Sequence, residues 1–249
     1  MTWGGEGLEA SGKDTISVVV QRGGAREDSF EVPSYESQTV LDVVSWIQQN
    51  TDPTLSYRFA CRVGMCGSCA MMVNGVPRWT CRTHISKVLV KQRVVLGPLR
   101  NFPVIKDLVV DTDPFFQKWI AAEGVHHGSA TREDPIRSID TNDAKRGAAD
   151  AGIECINCTV CYAACDTVAG NPDYLGPAAL QRAWTLLNDE KDNAGDKILD
   201  AVTGEGGCTA CHSMGSCTAY CPNELDPMTA IAGLKRVTMK AYLFGKRGS

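Results

Sequence analysis

Residues 155–165 read Cys155-Ile156-Asn157-Cys158-Thr159-Val160-Cys161-Tyr162-Ala163-Ala164-Cys165. The spacing Cys-x2-Cys-x2-Cys-x3-Cys is the bacterial four-cysteine run for cubane iron–sulfur clusters. Three thiols so spaced reach one cluster, and the fourth typically ligates another, so the run predicts a partner. The partner is Cys211-His212-Ser213-Met214-Gly215-Ser216-Cys217-Thr218-Ala219-Tyr220-Cys221-Pro222. Its frame is Cys-x2-Met-x2-Cys-x3-Cys-Pro, with Met214 where the second thiol would stand. A neutral thioether replaces thiolate poorly on iron. One cubane corner then lacks protein support, and a 3Fe–4S cluster is the natural outcome. By the crossover rule, Cys155, Cys158, Cys161 and Cys221 are expected to hold a 4Fe–4S cluster. Cys165, Cys211 and Cys217 are expected to hold the 3Fe–4S cluster. Asp166 stands where a Pro usually follows the first run, a minor departure.

A third group lies upstream: Cys61-Arg62-Val63-Gly64-Met65-Cys66-Gly67-Ser68-Cys69, then Cys81. This is Cys-x4-Cys-x2-Cys with a distant fourth Cys, the plant-type 2Fe–2S spacing. A tight loop can deliver three thiolates and a neighbouring strand the fourth. Gly64 and Gly67 would let the backbone close on the cluster and aim N–H groups at its sulfurs. A structural zinc site usually pairs two similar cysteine knuckles, which one three-cysteine loop and a lone Cys fit badly. These groups use eleven cysteines and leave Cys208. Its place upstream of the second run favours a small buried thiol over a rescue ligand.

The chain has 249 residues and 12 cysteines, well below the roughly 8–10% density of disulfide scaffolds. Hydrophobic residues make up 43% and charged ones 22%, which excludes a disordered chain. A net charge of −4 without a basic stripe argues against nucleic acid as a partner. No apolar run approaches the roughly 18 residues of a spanning helix. Residues 1–13 carry no apolar core, so no secretory signal is expected, and the cysteines are read as thiols of a reducing compartment.

Residues 15–21 and 28–32 predict two strands around an Arg22-Gly23-Gly24 turn. Thr39 is a plausible N-cap, and Val40, Val43, Val44 and Ile47 follow at helical spacing. Residues 70–73 and 76–81 flank Asn74-Gly75, a hairpin signal. Residues 87–96 and 107–111 add β-rich runs. Residues 123–150 are polar and predict a connector with at most short helices. Strand signals then vanish, and Gly176-Pro177 and Asp226-Pro227 each open a helix. The fold class is therefore α+β, with a β-rich domain over 1–114 and a helical domain carrying both of the later cysteine runs over 115–249.

One plant-type loop followed by a helical dicluster domain with one thiolate missing resembles the iron–sulfur subunit of succinate dehydrogenase and quinol:fumarate reductase. Local pieces agree: Ile153-Glu154-Cys155, Asn171-Pro172-Asp173, Gly176-Pro177-Ala178 and Cys211-His212-Ser213. The resemblance implies an N-terminal β-grasp ferredoxin domain and a bacterial dicluster-ferredoxin-like domain. It implies an electron-transfer role among 2Fe–2S, 4Fe–4S and 3Fe–4S clusters, with no catalytic residue on this chain. The implied partners are a flavoprotein subunit, which holds the FAD, and membrane anchor subunits, which can carry haem b. Quinone is the implied electron acceptor or donor, with His212 and Met214 near it. The implied location is peripheral, on the cytoplasmic face of a bacterial inner membrane or the matrix face of a mitochondrial one. Ubiquinone-using relatives have a Trp pair shortly after the equivalent of Cys165. Here Asp166-Thr167-Val168-Ala169-Gly170 has no aromatic, which leaves the quinone's identity open. The alternative is the electron-transfer subunit of another flavin complex, such as a thiol-driven fumarate reductase.

Overall fold

Residues 15–24, 26–136 and 138–244 are described by the computed structural model. The reading of residues 1–13 lies outside them. The described residues form two compact units: those up to Pro98 with Val104–Val110, and Leu99–Pro103 with those from Asp111 onward.

The first unit is built on a sheet of five strands. β1 (Thr15–Gln21) pairs antiparallel with β2 (Glu27–Pro33), in the register Val18 opposite Phe30. α1 (Val40–Asn50) follows, then the hairpin of β3 (Ala70–Val73) and β4 (Val76–Trp79). β5 (Arg93–Gly97) inserts between β1 and β3, parallel to β1 and antiparallel to β3, so the order is β2-β1-β5-β3-β4. The alternating residues Ile16, Val18 and Val20 of β1 point to one face and bury fully against Val40, Val43, Val44 and Ile47 of α1, as the period of 2 for a strand and 3.6 for a helix dictates. α1 starts with a reciprocal cap. Thr39 accepts from the Asp42 backbone, and the Asp42 side chain accepts from the Thr39 backbone.

β5 is shorter than the β-rich run of residues 87–96 suggests. Lys91 and Gln92 take φ of 51° and 58°, a left-handed turn that strand pairing does not tolerate. A 3₁₀ turn at Ile85–Lys87 uses the start of the run. β6 (Val104–Lys106) and β7 (Val109–Val110) form a separate ribbon. The buried Arg22 at the end of β1 gathers three carboxylates: Asp28 at 2.6 Å, Asp107 at 3.4 Å and Asp52. It thereby fastens the ribbon and the end of α1 to the sheet.

The second unit is helical, and no named strand follows β7 among the described residues. α2 (Asp113–Ala121), α3 (Ala144–Ile153), α4 (Val160–Ala163) and α5 (Asp166–Gly170) precede α6 (Pro177–Leu187). α7 (Gly195–Thr203), α8 (Ser216–Ala219) and α9 (Pro227–Phe244) complete it. α6 is the centre, with eight buried residues and with α3 and α9 packed against it. The polar stretch 123–150 ends in the ten-residue α3, longer than its sequence suggests. Helical periodicity is faint there because the buried face is Arg146, Ala149 and Gly152, not large apolar groups. Gly152 permits the approach: a Cβ there would stand 2.3 Å from Thr185 Oγ1 of α6. Arg146 is buried but ion-paired to Asp150 (2.6 Å), Glu190 (3.5 Å) and Asp189 (3.6 Å).

Candidate metal centres

All twelve cysteines are free thiols. In the first unit, residues 61–69 join α1 to β3 as a tight loop in which Arg62, Gly64 and Gly67 have φ of 60°, 76° and 71°. The backbone N–H groups of Met65, Cys66 and Val63 donate to Cys61 Sγ at 3.2, 3.3 and 3.5 Å. Such a nest of N–H dipoles favours negative charge on the sulfur it surrounds. Gly64 is required twice, by its φ and because a Cβ would stand 3.0 Å from Arg82 Cγ and 3.2 Å from the Trp79 ring. Arg62 pairs with Asp42 at 2.6 Å, so the loop is tied to the cap of α1.

The four thiols differ in environment. Cys66 is exposed, and the Ser68 hydroxyl 2.8 Å away holds it down at about 6. Cys81 is buried beyond β4, and burial, then neighbouring Cys69, pushes it up to about 11. The Thr80 hydroxyl donates to the Cys69 carbonyl at 2.8 Å and fixes the strand-borne thiol against the loop-borne one.

In the second unit the two cysteine runs adopt the same backbone conformation. Asn157 and Ser213, each two residues after the first Cys, have φ of 54° and 56°. Thr159 and Gly215, four residues after it, have φ of 66° and 80°. A single helical turn follows each: α4 with Cys161 as its second residue and α8 with Cys217 as its second. Met214 therefore occupies the step that Cys158 occupies in the other run. It is 63% exposed, so no packing requirement explains a large apolar residue there.

The runs are brought together reciprocally. α4 packs on α8, and Asn223, just past Cys221, donates to the carbonyl of Glu154, just before Cys155 (2.8 Å). Cys155 is pushed up by burial and then by the charge of Cys221. Burial pushes Cys161 well up, and the charged groups that add to it are Cys158, Cys155, Cys217 and Cys221. Burial pushes Cys217 up to about 11, with Cys165 and Cys211 the charges that act on it. Cys208 lies in a 3₁₀ turn, 0% exposed, with its Sγ 3.6 Å from Thr238 Oγ1 of α9.

Three polar groups that no spacing signals also meet the two runs. Lys235 of α9 donates to the Cys211 carbonyl at 2.6 Å. Tyr174 is buried, and its phenol is pushed far up by burial and by Cys211 and Cys165. Asn101 reaches the end of α4. His212 and Met214 are both exposed.

Among the described residues no three His, Cys, Asp or Glu side chains form a single-ion site. The fit to multi-iron groups rests instead on the donor set: thiols only, with N–H groups aimed at Cys61 Sγ and, from Ser213 at 3.4 Å, at Cys211 Sγ. Thiolates with N–H donors around them are what iron–sulfur clusters take as ligands.

Residues 18–117 match the model of a 2Fe–2S iron–sulfur cluster binding domain, and residues 154–226 that of a 4Fe–4S dicluster domain. The fumarate reductase iron–sulfur subunit of Haemophilus influenzae is 34% identical over 226 residues, covering 86% of this chain and 87% of that protein. That of Mycobacterium tuberculosis is 37% identical over 83% of each. The chain belongs to the fumarate reductase and succinate dehydrogenase iron–sulfur subunit family. The succinate dehydrogenase iron–sulfur subunit of Paracoccus denitrificans is 35% identical over 80% of this chain and 75% of that one. A solved chain of the Mycobacterium smegmatis Sdh1 complex in its apo form superposes with a TM-score of 0.79 over 94% of this chain and 99% of that one, at 24% identity. The Cys61–Cys81 group lies in the sheet unit and both later cysteine runs lie in the helical one. Among the described residues no helix is long and apolar enough to cross a membrane.

Proposed function

We propose that this family member is the electron-transfer subunit of a succinate:quinone oxidoreductase. The domains are a β-grasp 2Fe–2S domain over residues 1–114 and a helical dicluster domain over 115–249. The ligands are Cys61, Cys66, Cys69 and Cys81 for 2Fe–2S; Cys155, Cys158, Cys161 and Cys221 for 4Fe–4S; and Cys165, Cys211 and Cys217 for 3Fe–4S. The observation that carries this reading is the shared backbone of the two runs, with Met214 at the step of Cys158. When bound, the three clusters carry single electrons between FAD on a flavoprotein partner and quinone at a membrane anchor.

The chain's own residues prepare those sites. N–H groups of Val63, Met65 and Cys66 stabilise charge at Cys61. Burial keeps water from Cys217, and a low dielectric strengthens each remaining dipole. Exposed His212 and Met214, beside Cys211, are the residues nearest quinone in this reading. An imidazole there can hold or donate the proton that quinone reduction consumes. The location is peripheral, on the cytoplasmic or matrix face through the anchor.

Iron analysis and EPR of the purified complex test the reading. About nine irons per chain are expected, with a 3Fe–4S signal when oxidised and a 2Fe–2S signal when reduced. About ten irons without an oxidised-state signal would remove the 3Fe–4S assignment, and zinc in place of iron would remove the whole reading.

A further inference from the structure

The segment Leu99–Pro103 belongs to the helical unit although it precedes the ribbon of the sheet unit in sequence. It lies along the end of α4. The Asn101 side-chain amide donates to the carbonyls of Tyr162 (2.8 Å), Cys165 (3.0 Å) and Ala163 (3.4 Å). Arg100 adds a bond from Nε to the Ala163 carbonyl (3.4 Å) and an ion pair to Asp166 (3.2 Å). Phe102 is buried with its ring 4.9 Å from that of Tyr162.

A helix leaves its last four carbonyls without intrahelical partners. α4 is a single turn: the carbonyls of Val160 and Tyr162 accept from the Ala164 and Cys165 N–H groups, and that of Ala163 is left for a donor from outside the turn. Ordinary C-caps use a glycine just past the turn. Here Ala164 and Cys165 follow instead, with no glycine, and a side chain from about sixty residues upstream supplies the donors. Asn101 itself has φ of 68°, a conformation open to Asn, Asp and Gly at small cost.

We propose that Asn101 is a positioning residue for the cluster pair: by fixing the carbonyl end of the turn from Cys161 to Cys165, it sets where the thiol of Cys165 stands relative to that of Cys161. The inference rests on the ligand reading above, in which those two cysteines serve different clusters. The turn is then the covalent spacer between the clusters, and the amide holds its far end. Loss of the amide frees Cys165 first, because the carbonyl of Cys165 itself accepts from it, whereas Cys161 makes no bond to it and lies between the buried Val160 and Tyr162. The 3Fe–4S site has only three ligands, so loosening one of them matters most there.

Two variants separate the amide from its backbone. Asn101→Gly removes the side chain and keeps the left-handed φ. Asn101→Asp keeps the shape but turns an acceptor-only carboxylate toward three carbonyls. Each is expressed in the whole complex and exposed to an iron chelator, with the decay of the oxidised 3Fe–4S EPR signal followed against the reduced 2Fe–2S signal. In both, the 3Fe–4S signal should decay about tenfold faster than in the wild type, with the 2Fe–2S decay unchanged. Wild-type decay in either variant overturns the positioning role. Parallel acceleration of the 2Fe–2S decay also overturns it, since that is general unfolding. A wild-type complex with no 3Fe–4S signal brings down the ligand reading itself, and the inference with it.

Discussion

At the scale of single residues, Met214 and Cys158 stand at the same step of one repeated turn, and only the side chain differs. Met214→Cys then supplies a thiolate where the backbone is already shaped for it. The position is exposed, so the smaller side chain leaves no cavity. Iron should rise by one per chain, and the oxidised 3Fe–4S EPR signal should disappear while the 2Fe–2S signal persists. An unchanged 3Fe–4S signal in a fully loaded variant would place the cause in loop geometry. A second residue-scale expectation concerns Cys66, exposed and held at about 6 by Ser68. Thiolate is the nucleophile, so in the iron-free chain at pH 7 Cys66 should be alkylated first of the twelve thiols, read by mass spectrometry. Ser68→Ala should slow that reaction several-fold. The thiols were legible from sequence because each run is local and its spacing reports the chemistry. Asn101, Lys235 and Tyr174 were not. Each meets its cysteine-bearing turn from a distant part of the chain, and a lone Asn, Lys or Tyr has no spacing to read.

At the scale of elements, what the sequence revealed depended on whether the cause was local. α1 has its cap, its acidic first turn and its apolar stripe within eleven residues and a flanking Thr. The hairpin of β3 and β4 was legible at Asn74-Gly75, both with positive φ. α3 was hidden because it packs through Ala149 and Gly152 and through an Arg146 whose partners Asp189 and Glu190 lie beyond α6. β6 was hidden because all three residues of Val104–Lys106 are exposed and the strand pairs with β7. The cap of α1 also carries a test at this scale. Asp42 receives both Thr39 and Arg62 of the cysteine loop. Thr39→Ala should cost about 1 kcal/mol, seen as a lower urea midpoint for loss of the 2Fe–2S absorbance. Because the cap and the loop share Asp42, the 2Fe–2S absorbance should go at lower urea while the 3Fe–4S signal holds its wild-type midpoint.

For the molecule as a whole, the two units answer differently to pH once iron is removed. Burial raises Cys155, Cys161 and Cys208 in the helical unit, and lifts Cys217 from 9.0 to about 11. A group raised on folding adds stability that is complete below its unfolded value and disappears as pH climbs through its folded value. For Cys217 that window runs from about 9 to about 11. The sheet unit holds one such thiol, Cys81, at about 11. It also holds Cys66, lowered to about 6, whose contribution has the opposite sign: present above the unfolded value, lost as pH falls through about 6. Alkali therefore acts on four raised thiols in the helical unit, against one raised and one lowered in the sheet unit. In the iron-free chain, limited proteolysis at pH 8 and at pH 10.5 should open the helical unit first as pH rises, leaving a fragment that contains the sheet. With clusters bound, Cys155, Cys161 and Cys217 are already deprotonated and ligated and Cys208 alone still responds, so the same rise in pH should change the helical unit's cleavage rate far less. Release of the sheet unit first would mean that the buried thiols of the dicluster half do not control its stability.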